Sequence, residues 1–351
     1  MNDIFYKRLK LPCGFDIPNN SNEIKKNERL FQTIKETLKF LRKYIFFLFF
    51  GNAGNKKIII PGNVKNILWI GNHSNSIGDS LMELAPRSLL GEYNVDLLAG
   101  NRNASVFKND IFFRHVYTDI NMLTIKYDFI ILDYFSTRSL RLKRKYFNSV
   151  PFFCIYEFFY GPDFNRLMFG YCRISGLLGL LYSDVNLRYF IHEEKMAYSL
   201  DNNKINVGIS VGGIDSIRTY DNFGCLVDLL NRQYNDLNFF LFGAENGLAM
   251  ADKIEIVSGN ITNYVGRLNI QQSAFLIGKM SVFITCDGGL LHVAQAYPIP
   301  IISMFAKFKP EYRIVNDNIL KMALYDDYNV NNISSDQILE AFLSWRVKYE
   351  N

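Results

Sequence analysis

The chain has 351 residues, of which 49% are hydrophobic and 21% charged, and its formal net charge is +5 at pH 7. This length suggests about two domains, and the apolar fraction is high enough for two cores, which argues against intrinsic disorder. The charge is mild for a chain of this length and no long Lys/Arg tract occurs, so we expect no nucleic-acid partner.

The five cysteines are widely spaced and contain no CxxC pair, so neither a zinc site nor a disulfide framework is indicated. The sequence opens with Met1-Asn2-Asp3 and lacks the basic segment and apolar core of a secretory signal. We therefore expect a cytoplasmic protein in a reducing compartment.

Residues 1–57 are predicted to form an N-terminal arm and a basic amphipathic helix. Residues 24–50 repeat apolar side chains at three- and four-residue steps, with lysines and arginines between them, and residues 44–50 are an uninterrupted apolar run. This run is far shorter than the ~20 residues that cross a bilayer. Two interpretations stay open: the helix lies on an anionic membrane surface, the cytoplasmic face of the inner membrane, or it packs on the body of the protein.

From residue 58 the sequence alternates between predicted strands and helices. Strands are predicted over residues 66–70, 95–99 and 129–133. A helix is predicted over residues 77–90, with a kink or break at Pro86. This alternation predicts a parallel sheet. The aromatic and basic residues 138–189 are predicted to form helices and loops, with most of the phenylalanines buried.

The polar residues 201–204 are the predicted domain boundary, after which the alternation restarts. Further strands are predicted over residues 207–211, 238–242, 281–285 and 301–305. The fold class is therefore α/β, with two doubly wound domains, residues 58–200 and 201–333. Ser334 and Gln337 have the spacing of a capping box that begins a last helix, and residues 334–351 are predicted to pack back on the first domain.

The first motif whose side chains could take part in a reaction is Ser76-Ile77-Gly78-Asp79, which follows the first strand. A carboxylate in the first turn of a helix, where parallel strands end, could accept a proton from a hydroxyl group. Ser76 and Asp79 also have the spacing of a capping box, so Asp79 could simply satisfy backbone donors.

The second motif is Gly212-Gly213, followed by Arg218. An arginine just before a helix could hold a diphosphate by paired hydrogen bonds, although a solvated surface arginine is the alternative. Glu245 follows the strand over residues 238–242 and could hold ribose hydroxyls, as acidic groups do in nucleotide-binding folds.

The third motif is Asp287-Gly288-Gly289, between a strand and a short helix. Adjacent glycines let backbone N–H groups approach a ligand closely, and helix N-termini attract phosphate. The alternative is a tight turn in which Asp287 caps the helix and His292 packs inside the domain. The sequence contains no Asp-x-Asp, a motif that can hold a divalent cation on a diphosphate. Arg218 and the helix terminus would therefore have to offset the charge of a bound diphosphate.

Together, three stretches resemble glycosyltransferase family 9, the ADP-heptose:lipopolysaccharide heptosyltransferases. They are SIGDSLMELAPRSLL, GGIDSIRTYDNFGCLVDLL and CDGGLLHVAQAYPIPIISMFAKFKPEYR. The last one carries an Asp-x-Gly-x-x-His-x-Ala core that follows the family pattern. The resemblance spans residues 66–313, with a poorly matched aromatic middle.

This resemblance implies a GT-B architecture, in which two Rossmann-like domains face a cleft and bind a nucleotide-sugar donor on the C-terminal side and an acceptor on the N-terminal side. It implies an inverting, metal-independent glycosyltransferase that needs no cofactor. The donor would be ADP-heptose and the acceptor a lipopolysaccharide or related glycolipid. Asp79 would be the general base, and Arg218 would neutralise the leaving diphosphate.

The resemblance also assigns binding residues by motif position. Those for the donor are Gly212, Gly213, Glu245, Asp287, Gly288, Gly289, Leu290 and His292. Those for the acceptor are Ser76, Gly78 and Arg138. Two alternatives stay open: a transferase that uses a UDP- or GDP-hexose, and a nucleotide-sugar-binding subunit without turnover.

Overall fold

The computed structural model describes residues 30–71, 76–157, 165–181, 185–189 and 191–350. The chain divides into two compact units, residues 1–186 and 187–351, whereas the sequence places the boundary at residues 201–204. Each unit contains one parallel β-sheet with helices, so the predicted α/β fold class is confirmed.

The sheet of the first unit has five parallel strands in the order β3-β2-β1-β4-β5. They are β1 (Asn66–Gly71), β2 (Asn94–Ala99), β3 (His115–Tyr117), β4 (Phe129–Tyr134) and β5 (Phe152–Glu157). The strand order reverses between β1 and β4. In open α/β sheets, the crevice at the carboxyl ends of such neighbouring strands is where ligands bind.

Five α-helices belong to the described part of this unit. They are α1 (Leu30–Phe50), α2 (Ile77–Leu84), α3 (Asn101–Val106), α4 (Thr137–Phe147) and α5 (Arg166–Leu177). The predicted break at Pro86 is confirmed, since the α-helix ends at Leu84 and a 3₁₀ segment, Ala85–Leu90, follows it. Residues 24–29 of the predicted amphipathic helix lie outside the described residues.

Strand β5 corrects the prediction that residues 138–189 form only helices and loops. All six residues of β5 are buried, and the first five, FFCIY, form a continuous apolar run without alternation. Periodicity cannot distinguish such a run from part of a buried helix, and this is why the strand was missed.

The sheet of the second unit has six parallel strands in the order β11-β10-β9-β6-β7-β8. They are β6 (Ile205–Ser210), β7 (Leu237–Phe242), β8 (Ile261–Asn263), β9 (Val282–Cys286), β10 (Ile301–Ala306) and β11 (Ala323–Asp326). Here the order reverses between β6 and β9. Ile209 lies beside Leu241 of β7 and Ile284 of β9, which aligns the carboxyl ends of the three central strands.

The α-helices described in the second unit are α6 (Phe223–Gln233), α7 (Leu248–Glu255), α8 (Ile270–Ile277), α9 (Gly289–Ala294), α10 (Asp317–Leu320) and α11 (Ser335–Glu350). The capping box of α11 is present, since the Gln337 N–H donates to Ser334 Oγ and the Ser334 N–H donates to Gln337 Oε1. The sequence places this helix on the first domain, but Phe342 and Trp345 lie in the core of the second unit. Apolar spacing shows that a helix has a buried face but not which neighbour covers it.

Two further observations concern the cysteines and the membrane. Cys154, Cys225 and Cys286 are free, whereas Cys172 is disulfide-bonded, which the cysteine spacing did not predict. Within the described ranges, no helix has the length and hydrophobicity needed to cross a bilayer.

Candidate active site

In the second unit, the loops after β6 and β9 meet where the strand order reverses. Arg218 Nη1 donates to Asp287 Oδ2 at 3.1 Å, and Arg218 Nε donates to Asp215 Oδ2 at 3.3 Å. The backbone N–H of Asp287 is bonded to the carbonyl of Met304 on β10. The structure therefore joins two motifs that the sequence predicted separately.

Two residues that the sequence did not assign complete this contact. Arg313 Nε lies 3.8 Å from Asp287 Oδ1, and the guanidinium groups of Arg218 and Arg313 lie 5.6 and 5.2 Å from the centroid of the Phe308 ring. Asp287 is buried, while the Arg218 side chain is 30% exposed. One arginine therefore reaches solvent at the strand ends while a buried carboxylate orients it.

The turn after β9 does not use Asp287 as a helix cap. Gly288 occupies the N-cap position of α9 and makes no side-chain capping bond, while the Asp287 carboxylate faces the arginines. Gly288 is exposed, and Gly289 and Leu290 are half-buried. Their backbone therefore lies at the surface beside Asp287.

The glycine pair after β6 is required by close packing. Gly212 has φ +82°, and a Cβ atom there would lie 2.7 Å from Gly247 Cα in the loop after β7. Asn246 Nδ2 donates to the Gly213 carbonyl at 2.8 Å. This packing brings the glycine pair and the exposed Glu245 to the same edge of the sheet.

His292 has a different position from the other predicted donor residues. It is 2% exposed, and its Nδ1 lies 3.4 Å from Gln295 Nε2, which also donates to the Arg313 carbonyl at 3.1 Å. Its position agrees with the interpretation that His292 packs inside the domain, where it supports the segment that carries Arg313.

In the first unit, α2 places Asp79 at the carboxyl end of β1. Ser76 caps this helix, since its hydroxyl accepts from the Asp79 N–H at 3.5 Å, and Gly78 is buried. The Asp79 carboxylate accepts from Arg166 Nη1 at 3.1 Å, and the same nitrogen lies 3.2 Å from Glu83 Oε1. Asp79 therefore makes a contact beyond the cap that its spacing predicted.

Two buried carboxyl groups lie behind Asp79. Tyr134 donates to Glu83 Oε1 and Trp69 donates to Asp133 Oδ1, both at 2.6 Å. Burial raises the pKa of Glu83 to about 8, with the charge of Asp133 acting in the same direction and Arg166 in the opposite one. Burial also raises the pKa of Asp133 to about 7, against the hydrogen bond from Trp69. Strongly shifted carboxyl groups of this kind cluster at functional sites.

The sequence did not assign Glu83, Asp133 or Arg166, although two signals were present. Glu83 lies one helical turn after Asp79, and Asp133 is a carboxylate within an apolar strand. Arg166 has no comparable signal, because it reaches Asp79 only through the packing of α5 on α2.

Arg138, the predicted acceptor residue, lies on α4 directly after β4. It is exposed and lines a surface pocket of about 320 Å³ with Thr137, Arg141, Leu142 and Lys145. Asp79 and Arg138 thus follow the two strands between which the order reverses. Among the described residues, no group of three or more His, Cys, Asp or Glu side chains is placed to hold a metal ion.

The part of the chain that contains the Arg218 and Asp287 motifs is similar to a known enzyme family. Residues 177–335 match the model of glycosyltransferase family 9 (heptosyltransferase). Residues 177–335, somewhat less than half of the chain, are therefore similar to this family. This match confirms the resemblance and the enzyme class, and the matched range includes the glycine pair, Arg218 and the Asp287 turn. No curated protein matches the sequence.

Solved structures of low sequence identity share the fold of this chain. A glycosyl transferase family 9 protein from Veillonella parvula superposes with a TM-score of 0.65 at 12% identity, over 83% of this chain and 100% of that one. The E. coli heptosyltransferase WaaC with ADP superposes with a TM-score of 0.60 at 11% identity, over 80% of this chain and 99% of that one. The E. coli ADP-heptose lps heptosyltransferase II superposes with a TM-score of 0.55 at 15% identity, over 82% of this chain and 100% of that one.

Glu83→Gln should reduce the pH dependence of stability. The folded state holds a proton on Glu83 that the unfolded state, with a pKa of 4.5, has released, so the wild-type free energy of unfolding falls as pH rises from about 4.5 to about 8. Glutamine keeps the acceptor for Tyr134 and does not titrate. We expect the loss of stability between pH 5.5 and 8.5 to shrink by a few kcal/mol, measured by urea unfolding.

The two tryptophans make this measurement specific to the first unit. Trp69 lies in the first unit and Trp345 in the second, so a Trp345→Phe background leaves only Trp69 fluorescence. Glu340→Gln, an exposed position on α11, is the matched control and should not change the pH dependence. If the free energy of unfolding of Glu83→Gln depends on pH as that of the wild type does, the pKa of Glu83 is not raised in the folded protein.

Proposed function

We propose that the chain is an inverting, metal-independent glycosyltransferase. The second unit would bind a nucleotide-sugar donor, and the first unit would bind the acceptor and supply Asp79 as the general base. The observation that carries the proposal is the contact between Arg218 and Asp287, because it unites the two conspicuous motifs of the region similar to family 9 at the point where such a sheet binds ligands.

The proposed reaction is a single displacement at the anomeric carbon. The Asp79 carboxylate takes the proton of an acceptor hydroxyl, whose oxygen forms a bond to the anomeric carbon. The bond from that carbon to the diphosphate breaks, and the nucleoside diphosphate leaves with the electron pair. Arg218 and the backbone N–H groups at Gly288, Gly289 and Leu290 would stabilise its charge, since the sequence has no Asp-x-Asp to hold a metal.

We further propose ADP-heptose as the donor and a lipopolysaccharide-type glycolipid as the acceptor. The support is the likeness to one structure described with ADP and to one named as an ADP-heptose lps heptosyltransferase. Glu245 at the same edge as Arg218 would reach the ribose, and Arg138 would meet the acceptor. A UDP- or GDP-hexose remains the alternative donor, so transfer assays should compare the three nucleotides.

Asp79→Asn should lower sugar transfer at least a hundredfold without weakening ADP binding. Asparagine keeps the size of the side chain and an oxygen that can accept from Arg166, but it cannot take a proton. Transfer is measured with purified donor and glycolipid, and ADP binding by calorimetry. Asp119→Asn, an exposed helix cap in the same unit, is the matched control. Transfer that persists in Asp79→Asn would refute the base, and a wild type without transfer would favour the binding-subunit alternative.

Arg218→Ala should still fold, because Arg313 remains beside the buried Asp287. It should lose about a hundredfold in transfer, because one preorganised contact to the developing charge is removed. ADP binding should weaken as well. Arg232→Ala provides the comparison, since Arg232 pairs with Asp228 on α6 and is 72% exposed. If both arginine variants behave like the wild type, Arg218 is a solvated surface residue.

We also propose a peripheral position on the cytoplasmic face of the inner membrane, supported by the two sides of α1. One side packs on the protein: Phe47 is buried with its ring 4.3 Å from that of Phe135, and Arg144 donates to the Phe49 carbonyl. The other side is exposed. Its large apolar side chains repeat at helical spacing and are Leu38, Leu41, Ile45, Leu48 and Phe49, between 37% and 70% exposed.

The charge around this stripe favours anionic lipid. No Asp or Glu occurs between Glu36 and Asp79, or between Asp133 and Glu157. Helix α4 packs against α1, and the exposed bases on the two helices are Arg42 on α1 and Arg138, Arg141, Arg144 and Lys145 on α4. A second copy of the chain would bring like charges together, whereas an anionic bilayer would neutralise them and cover the apolar side chains.

Replacing Leu41, Ile45 and Leu48 together by glutamine should weaken partitioning onto phosphatidylglycerol-containing vesicles at least tenfold. Glutamine is a good helix former, so α1 should persist while the apolar contact with lipid is lost. Vesicle sedimentation measures this. The control is Ile111→Gln with Ile256→Gln, both exposed apolar positions outside the stripe. Partitioning that is unchanged would show that α1 has only a structural role.

A further inference from the structure

The Asp79 carboxylate contacts the guanidinium of Arg166, which is less exposed than Asp79 itself. The Asp79 side chain is 36% exposed, whereas that of Arg166 is 17% exposed. Their Nη1–Oδ1 distance is 3.1 Å. A half-exposed carboxylate would otherwise exchange rotamers in solvent, so the fixed guanidinium limits the directions in which it points.

Glu83 fixes the guanidinium from the protein side. It lies four residues after Asp79 on α2, so both carboxyl groups are on one face of the helix and a single nitrogen, Arg166 Nη1, reaches both. Glu83 is 2% exposed and accepts the Tyr134 hydroxyl at 2.6 Å. The guanidinium is therefore held between a solvent-facing and a buried carboxyl group.

The backbone of Arg166 is fixed as well. The Tyr156 hydroxyl donates to the Arg166 carbonyl at 3.0 Å, and the Tyr156 ring stacks on Tyr134 with centroids 4.9 Å apart. Asn165 caps α5 by accepting the Met168 N–H. The arginine is thus held at its backbone by Tyr156 of β5 and at its guanidinium by Glu83 of α2.

We infer that Arg166 is a positioning residue that holds the Asp79 carboxylate in the orientation in which it accepts the acceptor proton, with Glu83 and Tyr134 fixing the guanidinium. The inference rests on the proposed role of Asp79. A general base must be held close to its productive geometry, since a displacement of about 1 Å can cost about a hundredfold in rate. The raised pKa of Glu83 fits this role, because a protonated Glu83 leaves Asp79 as the charged partner of Arg166.

The competing explanation is a salt bridge that only stabilises the first unit. A double-mutant cycle separates the two, because a residue that acts through Asp79 has no further effect once Asp79 cannot accept a proton. The four proteins are the wild type, Arg166→Met, Asp79→Asn and the double variant. Steady-state transfer gives kcat and KM for the donor, and thermal unfolding gives the stability.

We expect Arg166→Met to lower kcat ten- to a hundredfold with the KM for the donor unchanged, since the donor is bound by the second unit. In the Asp79→Asn background the same change should have no further effect on the residual rate. Arg166→Lys should recover part of the loss, because lysine keeps the charge but not the planar geometry of the guanidinium. If Arg166→Met does not fold, the kcat of Arg166→Lys in the two Asp79 backgrounds provides the same test.

Arg173→Met is the matched structural control. Arg173 lies on the same helix and pairs with Glu157, with an Nη2–Oε1 distance of 3.0 Å. Its loss should lower the unfolding temperature and leave the kcat of the folded enzyme unchanged. Equal losses of kcat from Arg166 substitution in both Asp79 backgrounds, or no loss in either, would overturn the inference.

The outcomes also separate this inference from the proposed function. If Asp79→Asn keeps full transfer, the proposed base is wrong and the inference falls with it. If Asp79→Asn loses transfer while both Arg166 variants keep the wild-type kcat, the base stands and only the positioning role is wrong.

Discussion

The ion pair between Arg218 and Asp287 is the interaction on which the candidate donor site depends. The two residues are 69 positions apart and follow β6 and β9, the neighbouring strands between which the order reverses. A buried carboxylate such as Asp287 would be costly without a cation, so the pair constrains both loops at once. The same constraint orients a partly exposed guanidinium at the strand ends, where an anionic ligand can reach it.

The first unit places carboxyl groups where they reduce stability. Glu83 and Asp133 are buried, and burial raises the pKa of both. Apolar side chains at these positions would avoid the cost of desolvating two carboxyl groups. The presence of Glu83 and Asp133 behind Asp79 is therefore more typical of a functional site than of a core that serves only stability. Arg166 connects Glu83 to the surface, because one guanidinium nitrogen contacts both the buried Glu83 carboxyl group and the half-exposed Asp79 carboxylate.

Helix α1 packs on the body of the protein, which is one of the two interpretations of its sequence. Phe47 enters the core of the first unit, and the guanidinium groups of Arg141 and Arg144 lie over the rings of Phe46 and Phe50. The opposite stripe remains exposed. An aromatic run too short to cross a bilayer can thus attach a helix to the protein and still leave an apolar surface toward solvent.

Sequence reasoning predicted the strands that are central in each sheet, the break at Pro86, the capping box of α11 and the motifs at residues 76–79, 212–218 and 287–292. These features are local, since apolar periodicity, glycine and proline act within a few residues. Four features became visible only in the folded chain: β5 is a strand, α11 packs on the second unit, Asp287 faces arginines, and Arg166 bridges Asp79 and Glu83. The physical reason is that these outcomes depend on contacts between segments distant in the chain, which burial and pairing of charges select and local sequence does not encode.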